Sequence, residues 1–230
     1  MNFSLNMAKK VSIIIPACNE EKYIISCLDS LKKQGYKDIE AVVACNGCTD
    51  KTDDIAKKVS QIAPFPIKIL SIKERNVSLA RNKGAASSTG SILIFLDADT
   101  QLTEGTINEI ITTNAQIGVC KGRFDSRKLK ARLSEKIKNQ LWRLVWSNGL
   151  IFCSRETFNA IAGFDESKTK GETGDFIKRA KKASNSSLKR ANACVITSAR
   201  RLEKWGYINT AIDWVKERIS PSKKDYPLIR

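Results

Sequence analysis

The sequence predicts an α/β fold: a mostly parallel sheet with helices on both faces, followed by a smaller mixed region. Three observations carry that expectation. Short apolar runs alternate with helix-period segments from residue 11 to residue 116. The strand-like runs are apolar on both faces, as strands covered by helices are. The fourth run ends on two acids, and sheets of this class bind ligands beyond the carboxyl ends of their strands. A chain of 230 residues, 42% of them apolar, is long enough for one large domain with its own core.

The elements follow in order. VSIIIPAC (11–18) is a continuous run of Ile and Val closed by Pro16, and reads as a buried strand. From Glu20, EEKYIISCLDSLKKQ places Tyr23, Ile24, Cys27, Leu28 and Leu31 on one helical face and stops at Gly35. IEAVVACNG (39–47) is a second strand, ended by the turn pair Asn46-Gly47. DKTDDIAKKVSQIA (50–63) opens a helix with Asp or Thr available as caps. IKILSIK (67–73) gives a third strand, and SLARNKGAASS (78–88) a short helix broken by Gly84 and Gly90. SILIFLDADT (91–100) is the fourth strand, and TEGTINEIITTNAQ (103–116) the helix after it. Right-handed crossovers then bring Asn19-Glu20, Asn46-Gly47 and Asp97-Asp99 to one rim. Beyond residue 116 the pattern loosens: IGVCKGRF and GLIFCSRETF read as strands, separated by a long basic amphipathic segment.

The bulk chemistry removes several classes of function. There is no histidine, which excludes Ser-His, Cys-His and His-metal sites and leaves Asp, Glu, Lys, Tyr and bound metal as agents. Of seven cysteines, only Cys45 and Cys48 have C-x-x-C spacing, with no second pair to complete a zinc set. Buried thiols in a reducing compartment are the reading preferred to a redox pair. No apolar run approaches the ~20 residues of a membrane span, and MNFSLNMAKK lacks the apolar core of a secretory signal. A cytoplasmic protein is the expectation. The net charge of +16 is uneven: residues 1–115 carry 14 Lys and Arg against 13 Asp and Glu, residues 116–230 carry 26 against 11. The second half should therefore meet something anionic.

Asp97 and Asp99, separated by Ala98, repel each other unless a cation, a proton or a basic side chain stands between them. The ordered set VSIIIPACNEEKYIISCLDSL, VVACNGCTDKT, NVSLARNKGA and ILIFLDADTQL resembles the nucleotide-sugar-binding half of a family 2 glycosyltransferase of the GT-A, Rossmann-like fold. ETFNAIAGFDE followed by GETGDFIKRAKK resembles that family's acceptor-side segment. The resemblance implies a single domain: residues 10–115 for the donor, 116–205 for the acceptor, and a basic C-terminal segment over 206–230.

It also implies roles. Asp99 ligates a divalent metal on the donor's diphosphate, and Asp97 supports that metal or contacts the ribose. Two carboxylates completed by phosphate and water suit Mg²⁺ or Mn²⁺. Pro16, Ala17, Asn19 and Glu20 lie along the nucleotide, as do Asn46, Arg81 and Ala98. The plain alternatives are a helix-terminus acid at Glu20 and a solvated helix arginine at Arg81. The family more often has Asp at the place of Asn46, so the base, uracil or guanine, stays open, and Asp50 is free to cap the next helix. Where the family usually offers Glu-Asp-x-Asp, this chain has Glu172-Thr173-Gly174-Asp175. Thr173 cannot be a base at neutral pH, so Glu172 or Asp175 takes that part, or an already ionised phosphate acceptor needs none. Asp175 as a helix-start acid is the bland alternative. In SARRLEKWG, Arg200 or Arg201 is a candidate diphosphate binder.

The segment 125–146 sets Leu129, Leu133, Ile137, Leu141 and Leu144 or Val145 on one stripe, with Lys128, Lys130, Arg132, Lys136, Lys138 and Arg143 around it. Such a helix either buries its stripe on the sheet, the commoner case, or rests on an anionic membrane face, which Trp142 and Trp146 favour. The expected partners are a UDP- or GDP-sugar, a lipid-linked or glycan acceptor and an anionic membrane surface. Two other classes fare worse. A sugar-phosphate nucleotidyltransferase needs a glycine-rich loop after the first strand, which PACNEEK lacks. A nucleic-acid binder is suggested by charge alone, without a recognition motif.

Overall fold

Seven consecutive buried residues make β1 (Val11–Ala17) the centre of the nucleotide-side sheet. The structure is a computed structural model, and it describes residues 9–141, 148–168, 170–206 and 210. After β1 come α1 (Ile24–Lys32), β2 (Ile39–Asn46), α2 (Thr52–Gln61), β3 (Ile67–Ile72), α3 (Val77–Ala86), β4 (Ile92–Leu96), β5 (Thr100–Leu102) and α4 (Thr106–Thr112). The second half adds β6 (Ile117–Phe124), α5 (Leu129–Gln140), β7 (Leu150–Ser154), α6 (Arg155–Ala160), α7 (Glu172–Ala183), β8 (Lys189–Thr197) and α8 (Arg200–Trp205).

Among the described residues the strands form one eight-stranded sheet in the order β3-β2-β1-β4-β7-β6-β8-β5. β1 lies parallel to both β2 and β4, and β3 parallel to β2. β7 enters antiparallel between β4 and β6, and β8 runs parallel to β6. The alternation of side chains along β1 divides the core. Ile13 and Ile15 pack with Ile24, Leu28, Val43 and Ile107 on one face. Ile14 packs with Leu93, Phe95, Phe158, Phe164 and Phe176 on the other. In this second core Phe164 and Phe176 stack at 4.1 Å, and Phe95 meets Phe164 edge-on at 5.0 Å.

The structure departs from the sequence expectations at defined points. The fourth strand stops at Leu96, not Thr100. The Asp97 amide donates to the Gly149 carbonyl at 2.9 Å, the Thr100 amide donates back to Asp97, and Thr100–Leu102 becomes a separate strand on β8. GLIFCSRETF is a strand only to Ser154, whose hydroxyl accepts from the Thr157 amide and starts α6. Gly84 does not break its helix: it lies inside α3, where a Cβ would come within 2.5 Å of Ile14 Cγ2, so its lack of a side chain lets α3 sit on β1.

The largest departure is α5. Its stripe is not buried on the sheet: Leu129, Leu133, Ile137 and Leu141 are 81%, 58%, 51% and 45% exposed. Ala131 and Lys138 face inward instead. A 3.6-residue period fixes which residues share a face but not which way that face points. Leu144, Val145, Arg143, Trp142 and Trp146 lie outside the described residues, as does most of the basic C-terminal segment.

Candidate functional site

The loops after β1, β2 and β4 meet at the carboxyl rim of the sheet, and hydrogen bonds fix them to one another. The Asn19 amide oxygen accepts from the Thr49 amide at 2.7 Å, and the Glu20 amide donates to Thr52 Oγ1 at 2.7 Å. Asn19 takes a left-handed φ of 58°, which asparagine tolerates better than most residues. Asp50 does cap: it accepts from the Thr52 amide and hydroxyl and from the Glu21 amide. Pro16, Ala17 and Asn46 are buried at the strand ends beneath these loops. Cys48 donates to the Ala17 carbonyl. Its thiol is lowered to about 7 by a hydrogen bond from Cys45.

Asp97-Ala98-Asp99 forms the turn beyond β4, and every side of it is held. Asp97 O accepts from the Thr100 amide and Asp99 O from the Ser198 amide. Gly149, at φ 85°, has no room for a side chain, since a Cβ would lie 2.3 Å from Thr100 Oγ1. Each of the two carboxylates is met by an arginine. Arg81, with its side chain only 6% exposed, reaches Asp97 at 3.2 Å and Glu172 at 3.0 Å. Arg200 forks onto Glu20 at 2.8 Å and reaches Asp99 at 3.1 Å, lying 4.7 Å above the Tyr23 ring. A basic side chain thus stands beside each acid of the pair.

The cluster is electrostatically tense. Burial drives the Glu20 carboxyl up to about 7 against the pull of Arg200, with the charges of Asp99 and Asp97 adding to the rise. Burial also raises Asp99, again opposed by Arg200 and reinforced by Asp97. Burial lowers Lys138 to about 8, and charge repulsion from Arg201 works in the same direction; Asp97 and Asp99 pull it back up. A cavity of about 380 Å³ opens between Asn19, Tyr23, Thr49, Asp50 and Arg200, and Arg200 alone of the acid–arginine cluster lines it. A second cavity, of about 480 Å³, lies at the opposite rim by Lys9, Thr89 and Ile92, away from the acid pair.

Of the residues singled out from sequence, Glu20, Arg81, Asp97, Asp99, Glu172 and Arg200 therefore come together. Asp175 does not join them: it pairs with Arg179 at 2.7 Å and Lys168 at 3.7 Å, and Arg179 in turn donates to the Ile161 and Gly163 carbonyls. Arg201 diverges from Arg200 and lies over Trp205, although its charge still reaches Asp99. Lys138 was legible only as one more cation of a basic helix. Tyr23 was legible only as one apolar position of α1.

Two carboxylates on one turn, with a third close by, are hard oxygen donors of the kind Mg²⁺ and Mn²⁺ take. Among the described residues no group of three or more His, Cys, Asp or Glu side chains is placed to cage a metal. The donor set therefore fits an ion whose shell is completed by phosphate and water, not a metal held by protein alone.

Acids gathered at the carboxyl ends of the parallel strands define an α/β protein of the class that takes its ligand at that rim. Residues 12–164 match the model of "Glycosyl transferase family 2", and the chain belongs to that family. GlyA of Streptococcus pneumoniae, named a glycosyltransferase, is 39% identical over 92 residues, which are 39% of this chain and 13% of that one. The glycosyltransferase AglE of Haloferax volcanii is 32% identical over 111 residues, 47% of this chain and 36% of that one. The matches with these two and six further curated relatives span 11% to 38% of the relatives' length. The mannosyltransferase PcManGT of Pyrobaculum calidifontis, solved with GDP-Man and Mn²⁺, has the same fold at a TM-score of 0.73 and 17% identity, covering 96% of this chain and 67% of that one. TarS 1–349 of S. aureus, solved with UDP-GlcNAc, matches at 0.65 and 20%, covering 82% and 58%. The fold is thus the GT-A fold of these glycosyltransferases.

Proposed function

We propose that the protein is a metal-dependent, inverting glycosyltransferase that moves a sugar from a UDP- or GDP-sugar to a lipid phosphate or lipid-linked glycan. The observation that carries this reading is the Asp97–Asp99 turn with Glu20 beside it, its acids already paired with arginines at the carboxyl rim. Asp99 and Asp97 would hold the ion, and Glu20, Asn19, Asn46 and Arg81 would line the nucleotide. A bound Mg²⁺ or Mn²⁺ supplies Lewis-acid charge that stabilises the departing diphosphate. Arg200, already within reach of Asp99, is the group to meet the diphosphate oxygens through its planar fork.

In the transfer the bond from the sugar's anomeric carbon to the diphosphate breaks, the diphosphate keeps the electron pair, and an acceptor oxygen bonds from the opposite face. A hydroxyl acceptor must also lose a proton. Of the two candidate bases Glu172 is the one tied to the acid pair, since Arg81 bridges it to Asp97; both are ion-paired, Glu172 with Arg81 and Asp175 with Arg179 and Lys168. Thr173, which donates to Glu172 at 3.2 Å, stands where the family usually has its acid. An ionised phosphate acceptor needs no base, and this favours a lipid phosphate.

Thermal unfolding with UDP or GDP tests the donor half. With Mn²⁺, one nucleotide at 100 times its Kd should add about 2.7 kcal/mol, and a chelator should remove that gain. Asp99→Asn should abolish it. A panel of nucleotides with no chelator-sensitive stabilisation would sink the reading. Glu172→Gln and Asp175→Asn then test the acceptor half, and unchanged turnover on a hydroxyl acceptor in both would remove both bases.

A further inference from the structure

Helix α5 is turned inside out. The residues it presents to the protein are small or polar: Ala131 packs on Phe124, Ala199 and Leu202. Asn139 hydrogen-bonds both the amide and the carbonyl of Gly122, and Glu135 accepts from the Phe124 amide. Lys138 is buried over the Phe124 ring at 5.6 Å. At 100° per residue, Ala131 and Lys138 mark the inward direction; Leu129, Leu133 and Ile137 project more than about 100° from it, and Leu141, at the C-cap, about 70°. These four make up most of the six large hydrophobic side chains exposed among the described residues, the other two being Ile25 and Ile62.

What flanks the stripe decides what can cover it. Lys130, Arg132 and Lys136 are exposed on α5 beside the apolar residues, and Arg123 and Arg127 are exposed just before it. The only acid on the helix, Glu135, is directed to the Phe124 amide. An aliphatic stripe bordered by lysine and arginine with no outward acid is the pattern of a helix lying in a lipid interface. A nucleic acid would satisfy the cations and leave the leucines in water. A second copy packed stripe to stripe would set the two basic borders against each other.

We infer that α5 docks on an anionic lipid surface, with Leu129, Leu133, Ile137 and Leu141 entering the headgroup–acyl boundary and Lys130, Arg132 and Lys136 meeting lipid phosphates. The inner side of α5 touches the start of α8, and α8 carries Arg200. A helix is ~10 Å across, so docking sets α8 and Arg200 about one helix width from the lipid phosphates. This deepens the transferase reading by naming where its acceptor comes from, and for that consequence it rests on the reading; the docking surface itself does not.

The experiment is flotation of the full chain with vesicles of phosphatidylglycerol and phosphatidylcholine against vesicles of phosphatidylcholine alone. The double variant Leu133→Ser/Ile137→Ser and the triple variant Lys130→Gln/Arg132→Gln/Lys136→Gln are compared with the parent. The parent should float only with the anionic vesicles. The apolar variant should bind at least ~10-fold more weakly, and the basic variant should lose about as much or more. Both should keep the parent's melting temperature. Equal flotation of the apolar variant and the parent overturns the proposal, and so does a parent that ignores anionic vesicles. A parent dimer that the apolar variant dissolves assigns the stripe to a second copy and also overturns it. Failure of the transferase reading shows separately, as a missing nucleotide-dependent rise in melting temperature while flotation persists.

Discussion

Replacing Arg81 with methionine should destabilise the fold by about 3–5 kcal/mol, the usual result of removing one partner of a buried ion pair. The structure says where that loss comes from. Arg81 lies 3.0 Å from Glu172, whose side chain is 13% exposed, and 3.2 Å from Asp97, which is 43% exposed. Water screens the second pair, so it contributes less than about 1 kcal/mol. The first is held largely out of water, where unit charges ~4 Å apart attract by about 4 kcal/mol at an effective dielectric near 20. The guanidinium also stands 4.9 Å above Phe164, a contact worth about 1 kcal/mol that methionine only partly replaces. Most of the cost is therefore the Glu172 charge left without a partner. Adding Glu172→Gln to Arg81→Met should restore about 2 kcal/mol, although Glu172→Gln alone should destabilise the parent. Urea unfolding of the four proteins closes the cycle. A double variant no more stable than Arg81→Met would refute the reasoning, because the loss would then be one of packing, not of an orphaned carboxylate.

The other predictions concern stability away from the site. Burial tends to raise Glu40, but hydrogen bonds from the Thr89 amide, Ser12, Lys10 and the Thr89 hydroxyl bring its carboxyl down from 4.5 to about 2. A depressed carboxyl stabilises the fold above its unfolded value and loses that contribution as pH falls. About 3 kcal/mol should therefore be present above pH ~4.5 and fade towards pH ~2. Glu40→Gln should show a flatter acid limb in urea unfolding, and parallel profiles would contradict this. At Gly118 a Cβ would fall 2.1 Å from Cζ of Phe152, a ring only 1% exposed, so Gly118→Ala should cost about 1–3 kcal/mol in the same assay. Gly35→Ala is the control, since its methyl would meet only Asn108, at 3.9 Å, and it should be near neutral.

The first half of the fold was legible because its signals are local. Val11–Ala17, Ile39–Asn46 and Ile92–Leu96 read as apolar runs and are strands, and the carboxyl-end rule alone put Glu20, Asp97 and Asp99 on one rim. The turn that ends β4 at Leu96 was not legible, because the carbonyl that takes the Asp97 amide belongs to Gly149, just ahead of β7 and some fifty residues later. The same holds for the pairings that complete the site. Arg81 meets Glu172 across 91 residues and Arg200 meets Glu20 across 180, and one sequence carries no sign of either. For Asp175 and Arg201 the sequence motif did not show the partners the structure gives them, Arg179 one turn on and the Trp205 ring. For α5 the period was right and the direction was not. Inward packing there is done by Ala131 and Asn139, which no hydrophobic pattern picks out.

The ring cluster of Phe95, Phe158, Phe164 and Phe176 makes a mechanical joint. It clamps α7, which bears Glu172, to β4, which leads into Asp97, through one interior cluster of rings. Glu172 and Asp97 are thus indexed to each other by packed aromatics in the interior, not by the surface loops.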